Sequence, residues 1–137
     1  MQSKKSILLV EDDRVDAMTV KRALKDLNVT NRLEISCNGE EALEYLKNNK
    51  NEGPCIILLD LNMPRMNGLE LLATLKSHEI LKMIPVVILT TSKDEQDRIK
   101  SYKNSVAGYM IKPVDYMQFV QTMKTIQMYW TLSELPA

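Results

Sequence analysis

Cys55-Ile56-Ile57-Leu58-Leu59-Asp60-Leu61-Asn62-Met63-Pro64-Arg65-Met66-Asn67-Gly68 is the stretch from which the fold can be read. Cys55 to Leu59 are apolar without interruption, and the run stops at a carboxylate. A strand with one wet face alternates polar and apolar residues. An unbroken apolar run bounded by turn residues fits a strand covered on both faces, as in a parallel sheet. Pro64 and Gly68 punctuate the loop that follows. Asp60 therefore falls just past the carboxyl end of a strand, where open α/β sheets bind their ligands. A carboxylate there is a metal ligand, an acid or base, a nucleophile or a helix cap.

The same pattern recurs on both sides. Ile7-Leu8-Leu9-Val10 is a second apolar strand, and it runs into Glu11-Asp12-Asp13. Ala17, Val20, Leu24 and Leu27 follow at helical spacing. Acidic residues favour a helix N-terminus, which accounts for one of the three acids as a cap but not for all of them. A turn spans Asn28 to Asn31. Leu33 to Ser36 is poorer in apolar residues and belongs at a sheet edge, and Asn38 to Glu41 has the form of a capping box opening a helix through Leu46. Beyond the central strand, Leu69, Leu71, Leu72 and Leu75 mark a helix ending near Ser77. Pro85 to Leu89 is another buried strand, ending in Thr90-Thr91-Ser92.

Ser92 and Glu95 make a second capping box. The helix they open, to about Asn104, has Ile99 and Tyr102 as its large apolar residues and is expected to be the least firmly packed. Ala107 to Ile111 is a short strand ending in Lys112-Pro113. Asp115 and Gln118 cap a last helix bearing Phe119, Val120, Met123, Ile126 and Trp130 on one face. Five alternations of strand and helix predict a parallel sheet with helices on both faces.

Bulk composition removes several function classes. The 137 residues suit one domain, and 18 basic against 18 acidic residues leave no net pull toward nucleic acid or an anionic membrane. No apolar run approaches the ~20 residues that cross a bilayer. Cys37 and Cys55 have no metal-type spacing and read as free thiols in a reducing cytosol. His78, the single histidine, lies in a polar run and reads as surface decoration, so a catalytic triad or histidine metal cluster is not expected. The four glycines form neither a dinucleotide turn nor a P-loop.

Four strand ends carry polar residues: Glu11-Asp12, Asp60, Thr90 and Lys112. Parallel strands emerge at one edge about 4.8 Å apart, so these side chains can converge. Crowded carboxylates repel one another and call for a cation, and oxygen ligands suit Mg²⁺. With a hydroxyl and an ammonium alongside, the set predicts a phosphoryl-handling site in which Asp60 can be the nucleophile. Any one of these residues alone is more simply a cap, a strand end or a solvated charge. Their occurrence at four separate strand ends favours the functional reading.

On the motifs Ile7 to Asp13, Leu59 to Gly68, Val87-Ile88-Leu89-Thr90 and Gly108-Tyr109-Met110-Ile111-Lys112-Pro113, the chain resembles the receiver domain of two-component response regulators over nearly its whole length. The resemblance implies a flavodoxin-like, doubly wound five-stranded sheet of order 2-1-3-4-5 with five helices. It implies Asp60 as phosphoacceptor, Asp12 and Asp60 as direct Mg²⁺ ligands, Glu11 acting through water, and the Asn62 backbone carbonyl as a further ligand. It also implies Thr90 as the switch hydroxyl, Lys112 as the phosphoryl-pairing cation, Tyr109 as the switch aromatic, and a cis Lys112-Pro113 bond. Asn62 and Ser92 would tune hydrolysis. Two departures stand out: Thr91 is bulkier than the small residue usual there, and Glu11 replaces the more familiar aspartate.

The expected organisation is one receiver domain over 1–137, core about 5–131, with no output domain. The expected location is cytoplasmic and the expected partner a sensor histidine kinase or phosphotransfer protein, with no nucleic acid or membrane partner and no separate substrate turnover. The segment Glu79 to Pro85, with Thr90-Thr91-Ser92 and the Phe119 to Trp130 helix, is similar to small regulators paired with phytochrome kinases. A phosphatase of the haloacid-dehalogenase type is the rival, although that chemistry wants an aspartate where Asn62 stands. Met117, Met128, Tyr129 and Leu132 exceed the needs of one helix face and predict a homodimer through the last helix.

Overall fold

The computed structural model describes residues 5–49, 53–61, 66–90, 95–103, 106–111 and 115–132, with the backbone alone for 95, 96, 99 and 129–132. The elements run β1 (Ile7–Val10), α1 (Arg14–Asp26), β2 (Leu33–Ser36), α2 (Gly39–Asn48), β3 (Ile56–Leu59), α3 (Gly68–Lys76), a 3₁₀ turn (Leu81–Met83), β4 (Val86–Thr90), α4 (Glu95–Lys103), β5 (Gly108–Ile111) and α5 (Tyr116–Leu132). The sheet order is β2-β1-β3-β4-β5, parallel throughout, which is the predicted order.

Period-two alternation divides the strands between two cores. Leu8, Val10, Ile57, Leu59 and Ile88 face Ala42 and Leu46 of α2 and Leu71, Leu72 and Leu75 of α3. Ile7, Leu9, Ile56, Leu58, Val87 and Leu89 face α1 and α5 through Ala17, Val20, Leu24, Phe119 and Met123. Strands β1, β3 and β4 are buried along their length, whereas β2 and β5 are only partly covered. This is why β2 reads as an edge from composition. An Arg32–Glu34 ion pair at 2.8 Å marks that edge.

Local signals explain most boundaries. Asp13 caps α1, accepting from Val15 N at 2.8 Å and Asp16 N at 3.0 Å. The helix closes on Asn28 at φ 59, with Val29 N donating to Leu24 O and Asn28 N to Lys25 O. Asparagine tolerates that left-handed conformation, and the two bonds satisfy carbonyls the helix end would leave open. Asn38 caps α2 through Glu41 N at 2.8 Å, but the Glu41 carboxylate reaches Cys37 N at 3.5 Å in place of a full box. The full capping box lies at Asn67 and Glu70, opening α3 one residue before Leu69, where the apolar spacing first signals it.

Asp115 accepts from Gln118 N at 3.2 Å, as the sequence predicts. The Ser92 cap of α4 and the Trp130, Tyr129 and Leu132 side chains lie outside what is described. His78 departs from surface decoration: its Nδ1 accepts from Ile80 N and Leu81 N, both at 3.2 Å, and so organises the 3₁₀ turn.

Candidate functional site

The acidic cluster follows from register. Val10 pairs with Leu59, so the next residues on each strand, Glu11 and Asp60, stand side by side. Asp60 N donates to Val10 O at 3.0 Å and Glu11 N to Ser36 O at 2.9 Å, which extends the ladder to both acids. Glu11 and Asp60 are buried, Asp12 is exposed, and one carboxylate oxygen from each lies within 4.8 Å of the other two.

Asp13 is occupied in capping α1. The three acids that look alike in sequence thus divide into two site residues and one cap. Three acidic side chains at this spacing repel one another unless a cation screens them. Their all-oxygen donor set fits a hard divalent ion such as Mg²⁺, which keeps part of its water shell.

Gly68 lets the next helix close on this edge. A Cβ there would fall well inside contact distance of the Asp60 carbonyl and the Leu61 Cα. Gly68 N donates to Leu61 O at 3.1 Å, which holds the start of α3 against the end of β3. No other residue type fits that approach without moving the strand end that presents Asp60.

Thr90 is fully buried at the end of β4 and pairs with Ile111 of β5. Tyr109, two residues before Ile111, pairs with Ile88 and is half-buried against the α2–α3 core. Its ring centre lies 6.5 Å from that of Tyr102 on α4, tilted by 31°. The described side chains of α4 agree with thin packing: Ser101 is buried, while Arg98, Lys100, Tyr102 and Lys103 are exposed. Asn62, Thr91, Ser92, Lys112 and Pro113 lie outside the described residues, so the cis bond, the Asn62 ligand and the lysine remain expectations from sequence. Cys55 is buried and Cys37 exposed, both as free thiols, and desolvation raises the Cys55 pKa.

Residues 7–124 match the response regulator receiver domain family. The chain belongs to that family. It is 41% identical over 127 residues to the probable methanogenesis regulatory protein FilR2 of Methanothrix harundinacea, covering 90% of this chain and 82% of the relative. To the response regulator Rcp1 of Synechocystis sp. it is 38% identical over 130 residues, covering 92% and 88%.

Among solved structures, the phosphorylated cyanobacterial phytochrome response regulator RcpA superposes with a TM-score of 0.89 at 37% identity, covering 98% of this chain and all of that one. The Mn²⁺-bound form of Rcp1 gives 0.85 at 38% identity, covering 97% and 99%. The likeness to phytochrome-associated regulators read from the sequence is therefore found.

This receiver domain belongs to two-component signalling, in which receivers are phosphorylated by histidine kinases. Its cofactor is a divalent cation held at the acidic pocket, and Mg²⁺ agrees with the Glu11, Asp12 and Asp60 cluster. The comparisons do not favour the phosphatase alternative. Among the described residues, no helix is long and apolar enough to cross a membrane.

Proposed function

We propose that a sensor histidine kinase or phosphotransfer protein presents a phosphohistidine to Asp60, and that the acyl phosphate formed there switches a partner-binding surface. The observation that carries this reading is the gathering of Glu11, Asp12 and Asp60 oxygens within 4.8 Å at the end of the central strand. An Asp60 oxygen attacks phosphorus in line, the phosphorus–nitrogen bond breaks, and the imidazole leaves with the bonding electrons. Asp12 and Asp60 would hold Mg²⁺ directly, Glu11 through water, and Asn62 through its carbonyl. Bound there, the ion neutralises charge on the phosphoryl oxygens.

Thr90 donates its hydroxyl to a phosphoryl oxygen, and Lys112 pairs with another. Water later attacks phosphorus and returns Asp60 to its carboxylate, with Asn62 and Ser92 setting the rate. Small donors such as acetyl phosphate load the domain without a kinase, and no separate substrate is turned over.

The buried position of Thr90 and its pairing with Ile111 support a route from phosphate to Tyr109 and the α4–β5–α5 surface. Among the described side chains of α4, the exposure of Arg98, Lys100, Tyr102 and Lys103 suits an element with two positions. Met117 and Met128, 71% and 53% exposed, support a homodimer through α5. The domain works in the cytoplasm.

Intact mass after treatment with acetyl phosphate and Mg²⁺ tests the reading. Wild type gains one phosphoryl group and Asp60→Ala gains none; equal gain in both overturns the assignment.

A further inference from the structure

Backbone hydrogen bonds close a circuit around the acidic pocket. Glu11 N donates to Ser36 O, at the end of β2, at 2.9 Å. Gly39 N, at the start of α2, donates to Met66 O at 3.0 Å. Gly68 N, at the start of α3, donates to Leu61 O at 3.1 Å. Asp60 N donates to Val10 O at 3.0 Å and returns the path to Glu11. Short runs of chain, 36–39, 66–68, 60–61 and 10–11, join one bond to the next. The start of α2 therefore reaches both acid-bearing strand ends, one by way of β2 and the other by way of α3.

Two glycines set how tightly this circuit closes. Gly68 meets Asp60 and Leu61, and Gly39 meets Met66 on the far side of the same short segment. A Cβ on Gly39 would stand 2.8 Å from both Cβ and Cγ of Met66, and closer still to the Met66 carbonyl oxygen. Gly39 is not at positive φ, so space rather than backbone conformation reserves the position for glycine. Neither side can retreat freely. The Met66 side chain packs against the α2–α3 core, and Asn67 is held by its reciprocal bonds with Glu70. Asn38 is buried and holds Glu41 N at 2.8 Å, which fixes the first turn of α2. A side chain at position 39 would press on residues 66–68, and these rest on the strand end that presents Asp60.

We propose that Gly39 is a positioning residue for the divalent cation: by letting α2 close on Met66, it fixes the spacing of the Glu11 and Asp60 strand ends and tunes the pocket to a small ion. This rests on the reading of Glu11, Asp12 and Asp60 as the cation site. Mg²⁺ demands near-ideal octahedral geometry at about 2.0–2.1 Å, whereas Ca²⁺ accepts looser arrangements at about 2.3–2.6 Å. The circuit is made of backbone groups, so a substitution at position 39 keeps every carboxylate and alters only their spacing. The displacement therefore costs Mg²⁺ more than Ca²⁺.

Titration calorimetry with each ion, on wild type, Gly39→Ala, Met66→Ala, Val20→Ala and Asp12→Ala, tests this. Met66→Ala removes the side chain that anchors the segment, and it decides the matter if Gly39→Ala does not fold. Val20→Ala, in the opposite core, lowers stability without touching the circuit.

The expected result in Gly39→Ala is a loss of Mg²⁺ affinity of about tenfold, against about threefold or less for Ca²⁺. Met66→Ala shifts the ratio in the same sense by less, and Val20→Ala leaves it unchanged. Equal losses for the two ions, or a lower Tm with wild-type affinities, would mean a purely structural contact and overturn the inference. An equal change of ratio in Val20→Ala overturns it as well, by tying selectivity to stability. If Asp12→Ala binds Mg²⁺ like wild type, the reading of the cation site fails and takes this inference with it. If Asp12→Ala is impaired and Gly39→Ala is not, the inference fails alone.

Discussion

The backbone N–H of Asp60 donates to the carbonyl of Val10 at 3.0 Å. That bond carries the β1–β3 ladder one residue past β3, and it sets the Asp60 carboxylate beside Glu11 rather than out in the following loop. The crowding of negative charge at the site is thus built into the pairing of the two central strands.

Charge crowding has a thermodynamic signature. In a chelator, Asp60→Asn removes one of three mutually repelling carboxylates and should raise unfolding free energy by about 1 kcal/mol. Wild type should gain about 2.7 kcal/mol when Mg²⁺ stands a hundredfold above its Kd, because the ion binds the folded state alone. Asp12→Ala, at an exposed position, should lose most of that gain while keeping its metal-free stability. Urea unfolding with and without Mg²⁺ measures all three, and an Asp60→Asn protein less stable than wild type in chelator would contradict the account.

Gly68→Ala should be costly although alanine is the better helix former. The added methyl meets the Asp60 carbonyl and the Leu61 backbone, neither of which is a flexible side-chain tip. The expected loss is about 2 kcal/mol or more, with weaker Mg²⁺ binding because the strand end must shift. Chemical denaturation and metal titration of the one variant check both halves.

Burial of Cys55 predicts a loss of stability in alkali. Desolvation is the largest cause acting on its thiol and raises its pKa in the folded state above that of a solvated thiol. The folded chain therefore holds that proton more tightly than the unfolded chain. The associated stability is full below the unfolded pKa and is lost as pH rises through the folded one. Tyr116 contributes in the same sense at somewhat higher pH. Stability followed from pH 7 to 10.5 should fall at the upper end, and Cys55→Ala should flatten the earlier part of the fall. A disulfide-exchange reagent should modify Cys37 quickly and Cys55 only as the domain opens.

Strand and helix order, the central carboxylate and the edge character of β2 were legible in the chain alone, because each rests on a local signal. Unbroken apolar runs mark the buried strands, and the polar residues that end them mark one edge of the sheet. Other features were not legible. Asn67 reads as loop until Glu70 is seen to reach back to it, and His78 reads as solvated until its ring nitrogen is found bonded to two backbone amides.

Glu11, Asp12 and Asp13 are three adjacent acids of similar chemistry; the resemblance to receiver domains picks out Glu11 and Asp12, but composition and spacing alone do not separate them. Tertiary structure decided that two join Asp60 and one caps α1, because strand register and helix phase together aim each side chain. It alone also decided that Tyr116 meets Asp26 across ninety residues of chain, a contact that neither periodicity nor capping encodes. The sequence by itself determined the fold and the chemistry available at its edge, since local burial and turn preferences act over a few residues. The folded chain decided which groups do that chemistry, since distance in space is set only when the helices close on the sheet.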